Sequence, residues 1–264
     1  MNGFDHSATT KTWDELYYND PLAIRFYDDA IGRVLEFLQA TPGDRLLDAG
    51  CGAGVHAIRA ARQGCLVDAI DFSRAALDDA EARAQSAGVL DQIRFLEEDL
   101  TKLSFGDGSY DKIFSWGVLI HIPEIERALD ELARVLAVGG RLALYVSNST
   151  AMQLIPRRVR RWFASGRSDT QRLPFGFATR VDLHGEQIWV WFNDVAAIVS
   201  HLDSRGLTLL AREAGEFSDQ FLRFSGPLRR VLLRINNLWF RFRLAPALAQ
   251  NNLLVFEKRR PPAL

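Results

Sequence analysis

The sequence predicts an α/β protein in which a doubly wound, parallel sheet is covered by helices on both faces. From residue 45 onward, short apolar runs of strand length alternate with longer stretches of helical spacing. The first run leads directly into a glycine-rich turn, and the second ends on an acidic residue, Asp71. A glycine turn between strand and helix, followed by a carboxylate after the next strand, is typical of a nucleotide-binding unit.

Each element of this alternation has its own signal. Apolar runs predict strands at 45–49, 66–71, 93–97, 110–116 and 141–146, and helical periodicity predicts helices at 53–63, 73–87 and 124–138. Ser73 is a good N-cap and Gly88 ends its helix, while Pro123 and the pair Gly139-Gly140 mark the ends of the third helix. Residues 14–39 have the spacing of one or two further helices.

The regular alternation ends after residue 146. Residues 148–187 are Arg-rich and irregular in pattern; a helix from Asn193 through Leu202 and a strand at 207–211 follow. A second irregular stretch, 216–250, precedes a last strand at 253–257. We therefore divide the chain into a helical lid at 1–44, a cofactor-binding core at 45–147, an Arg-rich cap insertion at 148–190, core at 191–215, an amphipathic basic insertion at 216–250, and a last strand and tail at 251–264.

Composition narrows the class of protein. The 264 residues are 48% hydrophobic and 25% charged, which is ordinary for a globular protein, and the net charge of -1 disfavours nucleic acid as a partner. Two cysteines provide neither a disulfide framework nor a metal cluster. Residues 1–11 lack the apolar centre of a signal peptide, and no apolar run approaches the roughly 18 residues that cross a bilayer. A cytoplasmic protein without a metal is the expectation.

Five motifs in order resemble the class I S-adenosylmethionine-dependent methyltransferases, in particular their small-molecule, ubiquinone-biosynthesis-like group. The motifs are Leu46-Leu47-Asp48-Ala49-Gly50-Cys51-Gly52-Ala53-Gly54, Asp71-Phe72-Ser73, Phe95-Leu96-Glu97-Glu98-Asp99-Leu100, Tyr110-Asp111-Lys112-Ile113-Phe114-Ser115-Trp116, and Glu131-Leu132-Ala133-Arg134-Val135-Leu136 with Gly139-Gly140-Arg141-Leu142. The resemblance is dense over 13–146. It implies a Rossmann-like, seven-stranded sheet whose last strand is antiparallel, with helical cap insertions, and S-adenosyl-L-methionine as cofactor.

The resemblance also implies roles for individual residues. Asp71 would pair with both ribose hydroxyls, Phe72 would stack on adenine, and Asp48 would meet the amino group of the methionine part. The other residues implied to bind the cofactor are Gly50, Cys51, Gly52, Asp99, Leu100, Ser115 and Trp116. The two glycines leave room for the cofactor, Cys51 is a small filler, Asp99 and the Leu100 backbone would contact adenine, and Ser115 and Trp116 end the fourth strand.

Two other functions remain open at this point. A nicotinamide-dependent oxidoreductase would use a similar fold, but its fingerprint places two residues before the third glycine, whereas Gly54 follows Gly52 after one. Asp48 would also repel a pyrophosphate. A non-catalytic, cofactor-binding regulatory module is the second alternative. O-methylation of a small-molecule or lipid- or glycan-linked acceptor is the preferred interpretation.

His121 is the candidate catalytic base. It follows the fourth strand closely, in a segment that should border the acceptor pocket, and imidazole suits proton transfer near neutral pH. A role in capping the next helix or in packing the pocket wall is the alternative. The N-terminal segment Trp13–Tyr18 resembles the family's lid, and either of its two tyrosines is a candidate for the pocket lining.

Arginines dominate both insertions. They are Arg157, Arg158, Arg160, Arg161, Arg167 and Arg172 in the first, and Arg223, Arg229, Arg230, Arg234, Arg241 and Arg243 in the second. In the second insertion the apolar residues Leu228, Val231, Leu232, Ile235, Leu238, Trp239 and Phe242 have helical spacing, which predicts an amphipathic helix with a basic face. The helix either packs on the core with solvated arginines, or recognises an anionic or lipid-linked acceptor, or contacts a membrane surface.

Overall fold

The protein is described here by a computed structural model covering residues 20–154, 170–183, 186–218, 224 and 226–259. The helices of this part of the chain are α1 (Pro21–Leu38), α2 (Val55–Arg62), α3 (Arg74–Ser86), α4 (Ile125–Val135), α5 (Val195–Ser204) and α6 (Gly226–Arg241). The strands are β1 (Arg45–Ala49), β2 (Leu66–Asp71), β3 (Ile93–Glu97), β4 (Tyr110–Trp116), β5 (Leu136–Ser147), β6 (Gln171–Leu173), β7 (Gly176–Leu183), β8 (Glu186–Asn193), β9 (Leu207–Ala214) and β10 (Asn251–Lys258).

The central sheet has seven strands in the order β3-β2-β1-β4-β5-β10-β9. The strands from β3 to β5 are parallel, and β10 runs antiparallel to both of its neighbours, β5 and β9. The predicted seven-stranded sheet with an antiparallel last strand is therefore confirmed. The chain builds outward from β1 in one direction and then returns to β4, so β1 and β4 flank the point where ligands bind in open α/β sheets.

Helices cover both faces of this sheet, as its two hydrophobic clusters show. Successive strand residues point to opposite faces, and Leu46 and Phe114 pack with α1, α2 and α3 on one side. Leu47 and Ile113 pack with α4 and α5 on the other. Burial on both faces explains why these strands read as continuous apolar runs rather than as alternating ones.

Strands β6, β7 and β8 form a second, antiparallel sheet in that order, the cap sheet. This corrects the expectation of an irregular, helical cap over that part of the chain. The aromatic and β-branched residues of 188–192 favour a strand. The cap sheet is joined to the core because the Trp191 N–H donates to Ile120 O (3.0 Å) and Ser147 Oγ donates to Trp191 O (2.7 Å). The arginines at 157–167 lie outside the described residues, as do Trp13–Tyr18 and Arg223.

Several boundaries differ from the predicted ones, among them the start of β5 and the cap of α5. β5 begins at Leu136 rather than Arg141, directly after α4. Asp194, not Asn193, caps α5, since its Oδ1 accepts from the N–H groups of Ala196 (2.9 Å) and Ala197 (3.2 Å). Asn193 is instead buried, and its backbone N–H donates to Ser147 Oγ (3.1 Å).

Candidate active site

The glycine-rich turn after β1 has a backbone that only glycine adopts without strain. Gly50, Gly52 and Gly54 all have positive φ, at 88°, 51° and 77°. A Cβ on Gly50 would lie 2.4 Å from Val118 Cγ2, and one on Gly54 would lie 3.0 Å from Ala80 Cβ. A Cβ on Gly52 would meet no atom within 4 Å. Gly50 and Gly54 therefore serve packing, whereas Gly52 borders open space at the ligand edge of the sheet.

The carboxylate of Asp71 connects this turn to the loop after β2. Its Oδ2 accepts a hydrogen bond from the Gly52 N–H (2.9 Å), and its Oδ1 accepts from the Ser73 N–H (3.0 Å). Burial raises the pKa of Asp71, and the backbone donors at Ser73 and Gly52 oppose that rise. Since each carboxylate oxygen has a second lone pair, Asp71 is held in a fixed orientation and can still accept from a pair of hydroxyl groups.

Asp48 is a buried carboxyl with an unsatisfied oxygen. It is 1% exposed, and its Oδ2 has no hydrogen-bond partner among the described residues. Burial, and then the nearby charge of Asp71, raise the pKa of Asp48 well above its ordinary value. A buried polar atom without a partner is costly, and a bound cationic group would both satisfy this oxygen and favour its ionised form.

The end of β4 places Ser115 and Trp116 beside β1 and β5. Ser115 Oγ donates to Ala49 O (2.7 Å), so this hydroxyl is already used to join the two strands. Trp116 stacks on Tyr145 with ring centroids 3.7 Å apart and planes 6° apart. Of the two, Ser115 is buried and Trp116, at the carboxyl end of the strand, is partly exposed.

The residues implied to hold adenine lie at the ends of β2 and β3. Phe72 is 51% exposed, which leaves its ring face accessible for stacking. Asp99 is exposed and its Oδ1 accepts from the N–H and Oγ1 of Thr101, both at 2.8 Å. Leu100 has a buried side chain. Oδ1 of Asp99 is therefore occupied by bonds to Thr101, and Oδ2 is the oxygen that these bonds leave for a contact with adenine.

Cys51 and His121 are both neutral at physiological pH. Burial, followed by the charges of Asp48 and Asp71, raises the pKa of the Cys51 thiol well above its usual range. The thiol therefore lacks the thiolate character of a nucleophile. Burial lowers the pKa of His121 to about 3. A neutral imidazole has a lone pair available for a proton, but at this pKa it is a weak base.

An aromatic group around Trp116 includes residues that no sequence motif indicated. His56 in α2 lies 4.8 Å from Trp116 and 5.6 Å from Tyr27 of α1, between ring centroids. His56 is 7% exposed, and neither of its ring nitrogens has a hydrogen-bond partner in the described part of the chain. Desolvation, and then the charge of Arg59, lower its pKa to about 3. The one feature of the sequence that could have pointed to His56 is its position two residues after Gly54, the last glycine of the turn.

Among the described residues, no group of three or more His, Cys, Asp or Glu side chains could hold a metal ion. None of the described helices is long and apolar enough to span a bilayer.

The strand order, the glycine turn and the carboxylate after β2 define a Rossmann-like domain with a cofactor site at the reversal between β1 and β4. Comparison with known proteins specifies the family. Residues 46–140 match the family model described as a methyltransferase domain. The chain therefore carries a class I S-adenosylmethionine-dependent methyltransferase domain, and S-adenosylmethionine is the cofactor of this domain.

Three similar proteins show how far the likeness extends. The 27-O-demethylrifamycin SV methyltransferase of Amycolatopsis mediterranei is 39% identical over 113 residues, which are 42% of this chain and 42% of that protein. The sterol 24-C-methyltransferase ERG6B of Gibberella zeae is 30% identical over 124 residues, 45% of this chain and 33% of that protein. The chain thus spans less than half the length of either relative. The magnesium protoporphyrin IX methyltransferase of Synechocystis, solved with bound SAH, superposes with a TM-score of 0.63 at 20% identity, covering 96% of this chain and 95% of that one.

The cofactor fits the residues present. Gly52 leaves open space beside the turn, and Asp71 is fixed by backbone donors while keeping lone pairs for further bonds. Asp48 has a buried oxygen for which the described part of the chain provides no hydrogen-bond partner. The positive amino group of S-adenosylmethionine complements Asp48, whereas the pyrophosphate of a nicotinamide dinucleotide would meet two carboxylates there.

Proposed function

We propose that the protein transfers the methyl group of S-adenosylmethionine to an oxygen atom of a small-molecule acceptor that is anionic or is linked to a lipid or glycan. The observation that carries the proposal is the link from Asp71 Oδ2 to the Gly52 N–H beside open space at the sheet's ligand edge. We also propose that the protein belongs to the small-molecule, ubiquinone-biosynthesis-like group of these methyltransferases.

The chain's own residues divide the work of binding. Asp71 accepts from the two ribose hydroxyls, and charge-assisted hydrogen bonds of this kind are stronger than neutral ones. Asp48 pairs with the amino group of the methionine part, and Phe72 covers one face of adenine. The Oδ2 atom of Asp99 and the Leu100 backbone contact the adenine edge, while Gly50, Cys51, Gly52, Ser115 and Trp116 complete the walls.

When bound, S-adenosylmethionine supplies a methyl group already activated by its positive sulfur. The protein then has to align the acceptor and exclude water. The segment 117–123 and the cap sheet suit that task, since the Trp191 N–H bonds to Ile120 O beside the end of β4. His121 is the proposed acceptor of the hydroxyl proton, which leaves as the methyl group's bond to sulfur breaks and the new C–O bond forms. Its ring is neutral and can take a proton, although at a pKa of about 3 it is a weak base.

Oxygen is the proposed acceptor atom because of the relative that acts, by its name, on 27-O-demethylrifamycin SV. The sterol relative is by its name a C-methyltransferase, so carbon is the competing acceptor atom. A histidine at the acceptor side favours oxygen because a hydroxyl must lose a proton during transfer.

Two measurements in sequence test the proposal. First, thermal unfolding with S-adenosylhomocysteine should raise the melting temperature, since ligand at about 100 times its Kd adds about 2.7 kcal/mol; NAD should leave it unchanged. Stabilisation by NAD alone would contradict the cofactor assignment.

Second, the protein is incubated with methyl-labelled S-adenosylmethionine and a panel of acceptors that carry hydroxyl groups or reactive carbons. The labelled product's NMR shift identifies the methylated atom. A methyl on oxygen supports the proposal, and a methyl on carbon contradicts it. Binding of S-adenosylhomocysteine with no turnover on any acceptor would favour a non-catalytic module.

A further inference from the structure

Helix α6 carries an apolar stripe that faces away from the protein. Leu228, Val231, Ile235 and Leu238, with Phe242 directly after the helix, are between 37% and 64% exposed. Eight of the fourteen large hydrophobic residues that are exposed in the described part of the chain fall within 224–248. The sequence spacing had suggested that this stripe could pack on the core. Exposed apolar area concentrated in this way marks an interaction surface.

The stripe is exposed because α6 is fixed through its opposite face. Leu233 and Phe240 pack with Ala23 and Phe26 of α1. At about 100° per residue, the stripe spans a sector of about 80° whose centre lies about 170° from this packed face. Two aromatic rings, those of Phe26 and Phe240, meet edge to face at 5.1 Å.

Two asparagines lock this orientation with hydrogen bonds. Asn236 is buried, its Oδ1 accepts from the Ser218 N–H (3.0 Å) and its Nδ2 donates to Ser218 O (2.8 Å). Asn237 Nδ2 donates to Leu22 O of α1 (3.2 Å) and to Leu233 O within the helix (2.9 Å). Turning the stripe inward would break these hydrogen bonds, so they hold the helix with its apolar stripe facing outward.

Arginines without acidic partners line one edge of the stripe. Arg230, Arg234 and Arg241 are exposed, and none has a carboxylate oxygen within 4.0 Å among the described residues. Arg229 lies on the packed side of α6, where it is 3.6 Å from Asp20, and Arg243 is 3.4 Å from Glu213. Residues 226–250 contain five arginines and neither Asp nor Glu. The surface is therefore both apolar and positively charged.

We propose that α6 lies in the headgroup layer of an anionic lipid bilayer, with the stripe inserted and Arg230, Arg234 and Arg241 on lipid phosphates. An apolar face bordered by arginines is the pattern of an interfacial helix. Charge complementarity selects anionic lipid over a neutral surface, because each arginine near such a surface contributes to binding. Since α6 packs on α1, whose Tyr27 reaches the His56–Trp116 group, this contact places the candidate active site close to the bilayer.

Vesicle sedimentation tests the proposal without cofactor or acceptor, so its result is independent of methyl transfer. The wild-type chain should sediment with vesicles of phosphatidylcholine and phosphatidylglycerol, and far less with phosphatidylcholine alone or at high salt. Arg230→Gln/Arg234→Gln should bind about 10- to 30-fold more weakly, and Val231→Glu/Leu238→Glu should not bind.

Matched controls separate this surface from general effects. Val138 and Leu238 are each 51% exposed, so Val138→Glu introduces one charge of the same kind elsewhere. Arg62→Gln/Arg127→Gln removes two positive charges from other exposed positions. Both controls should bind as the wild type does, and equal loss in controls and α6 variants would overturn the proposal.

A fluorescent label gives a second measurement that does not depend on a disruptive variant. Both native cysteines are buried, so Leu238→Cys can be labelled selectively with an environment-sensitive dye. Anionic vesicles should shift its emission to the blue. No sedimentation and no shift would overturn the proposal. So would a wild-type dimer that Val231→Glu/Leu238→Glu dissociates, because the stripe would then bind a second copy.

Discussion

Asp71 Oδ2 accepts a hydrogen bond from the Gly52 N–H at 2.9 Å, which fixes the acidic end of β2 against the glycine turn that follows β1. The same carboxylate also accepts from the Ser73 N–H at the start of α3. One side chain thus orients two loops at the reversal point of the sheet. In the proposed cofactor site, this preorganisation would keep the two loops in place before any ligand binds.

Alanine at Gly50 and at Gly52 should have different effects. Gly50→Ala places a methyl group 2.4 Å from Val118 Cγ2 at a φ of 88°, so it should lower the melting temperature substantially. Gly52→Ala adds a methyl into open space at a φ of 51° and should cost only about 1 kcal/mol of stability. It should nevertheless weaken cofactor binding more than tenfold. Equal effects of both changes on binding at matched stability would refute this division.

Cofactor affinity should fall as the pH is lowered, starting above the range of an ordinary carboxyl. Burial raises the pKa of Asp48, and in the proposed site only the ionised form of this carboxyl would pair with the cofactor's amino group. Affinity is therefore full above the raised pKa and declines below it. Titration calorimetry at several pH values measures this, and Asp48→Asn should bind more weakly with a flatter pH profile. A profile unchanged by Asp48→Asn would remove Asp48 from the site.

His121→Ala should slow methyl transfer while leaving cofactor affinity nearly intact. General-base catalysis contributes about 10²–10⁴-fold, so single-turnover rates with the identified acceptor should fall within that range. His201→Ala is the control, because His201 pairs with Asp130 (2.7 Å) on α4. A rate loss of less than about threefold would assign His121 to packing.

His56 should make the protein sensitive to acid. Its pKa is about 3 in the folded protein and about 6.5 when unfolded. The unfolded state therefore binds more protons between these values, and stability falls as the pH drops below about 6.5, by about 1 kcal/mol per pH unit. Urea unfolding of wild type and His56→Leu at pH 7 and pH 5 checks this: the variant should lose less stability on acidification. Parallel losses would show that His56 is not the titrating group.

The sequence predicted the core of the fold well because that core is buried on both faces. Strands at 93–97 and 110–116 were placed correctly, and Ser73 caps α3 as expected, with Oγ accepting from the Ala76 N–H. The cap sheet was missed because its strands follow an Arg-rich segment that has no clear period. The seven-stranded sheet with an antiparallel last strand followed from the family resemblance rather than from any single residue, and the strand order came from the structure.

The orientation of α6 could not be predicted from its periodicity. Its sequence has apolar residues on two sides, and the stripe with the more regular spacing is the exposed one. The packed side is fixed by contacts with other elements, among them the hydrogen bonds of Asn236 to the Ser218 backbone, 18 residues away in the sequence. In the same way, the position of His56 against Trp116 depends on contacts between α2 and β4 that no local pattern encodes.

Calorimetric titration of wild type and Asp71→Ala with S-adenosylhomocysteine tests the central claim most directly. Asp194→Ala is the matched control, since Asp194 also accepts from backbone N–H groups at a helix start but caps α5 rather than following β2. Losing hydrogen bonds that involve a charged group costs about 1.5–3 kcal/mol, so Asp71→Ala should bind at least about tenfold more weakly. Asp194→Ala should bind as the wild type does. Unchanged affinity in a folded Asp71→Ala protein would contradict the account.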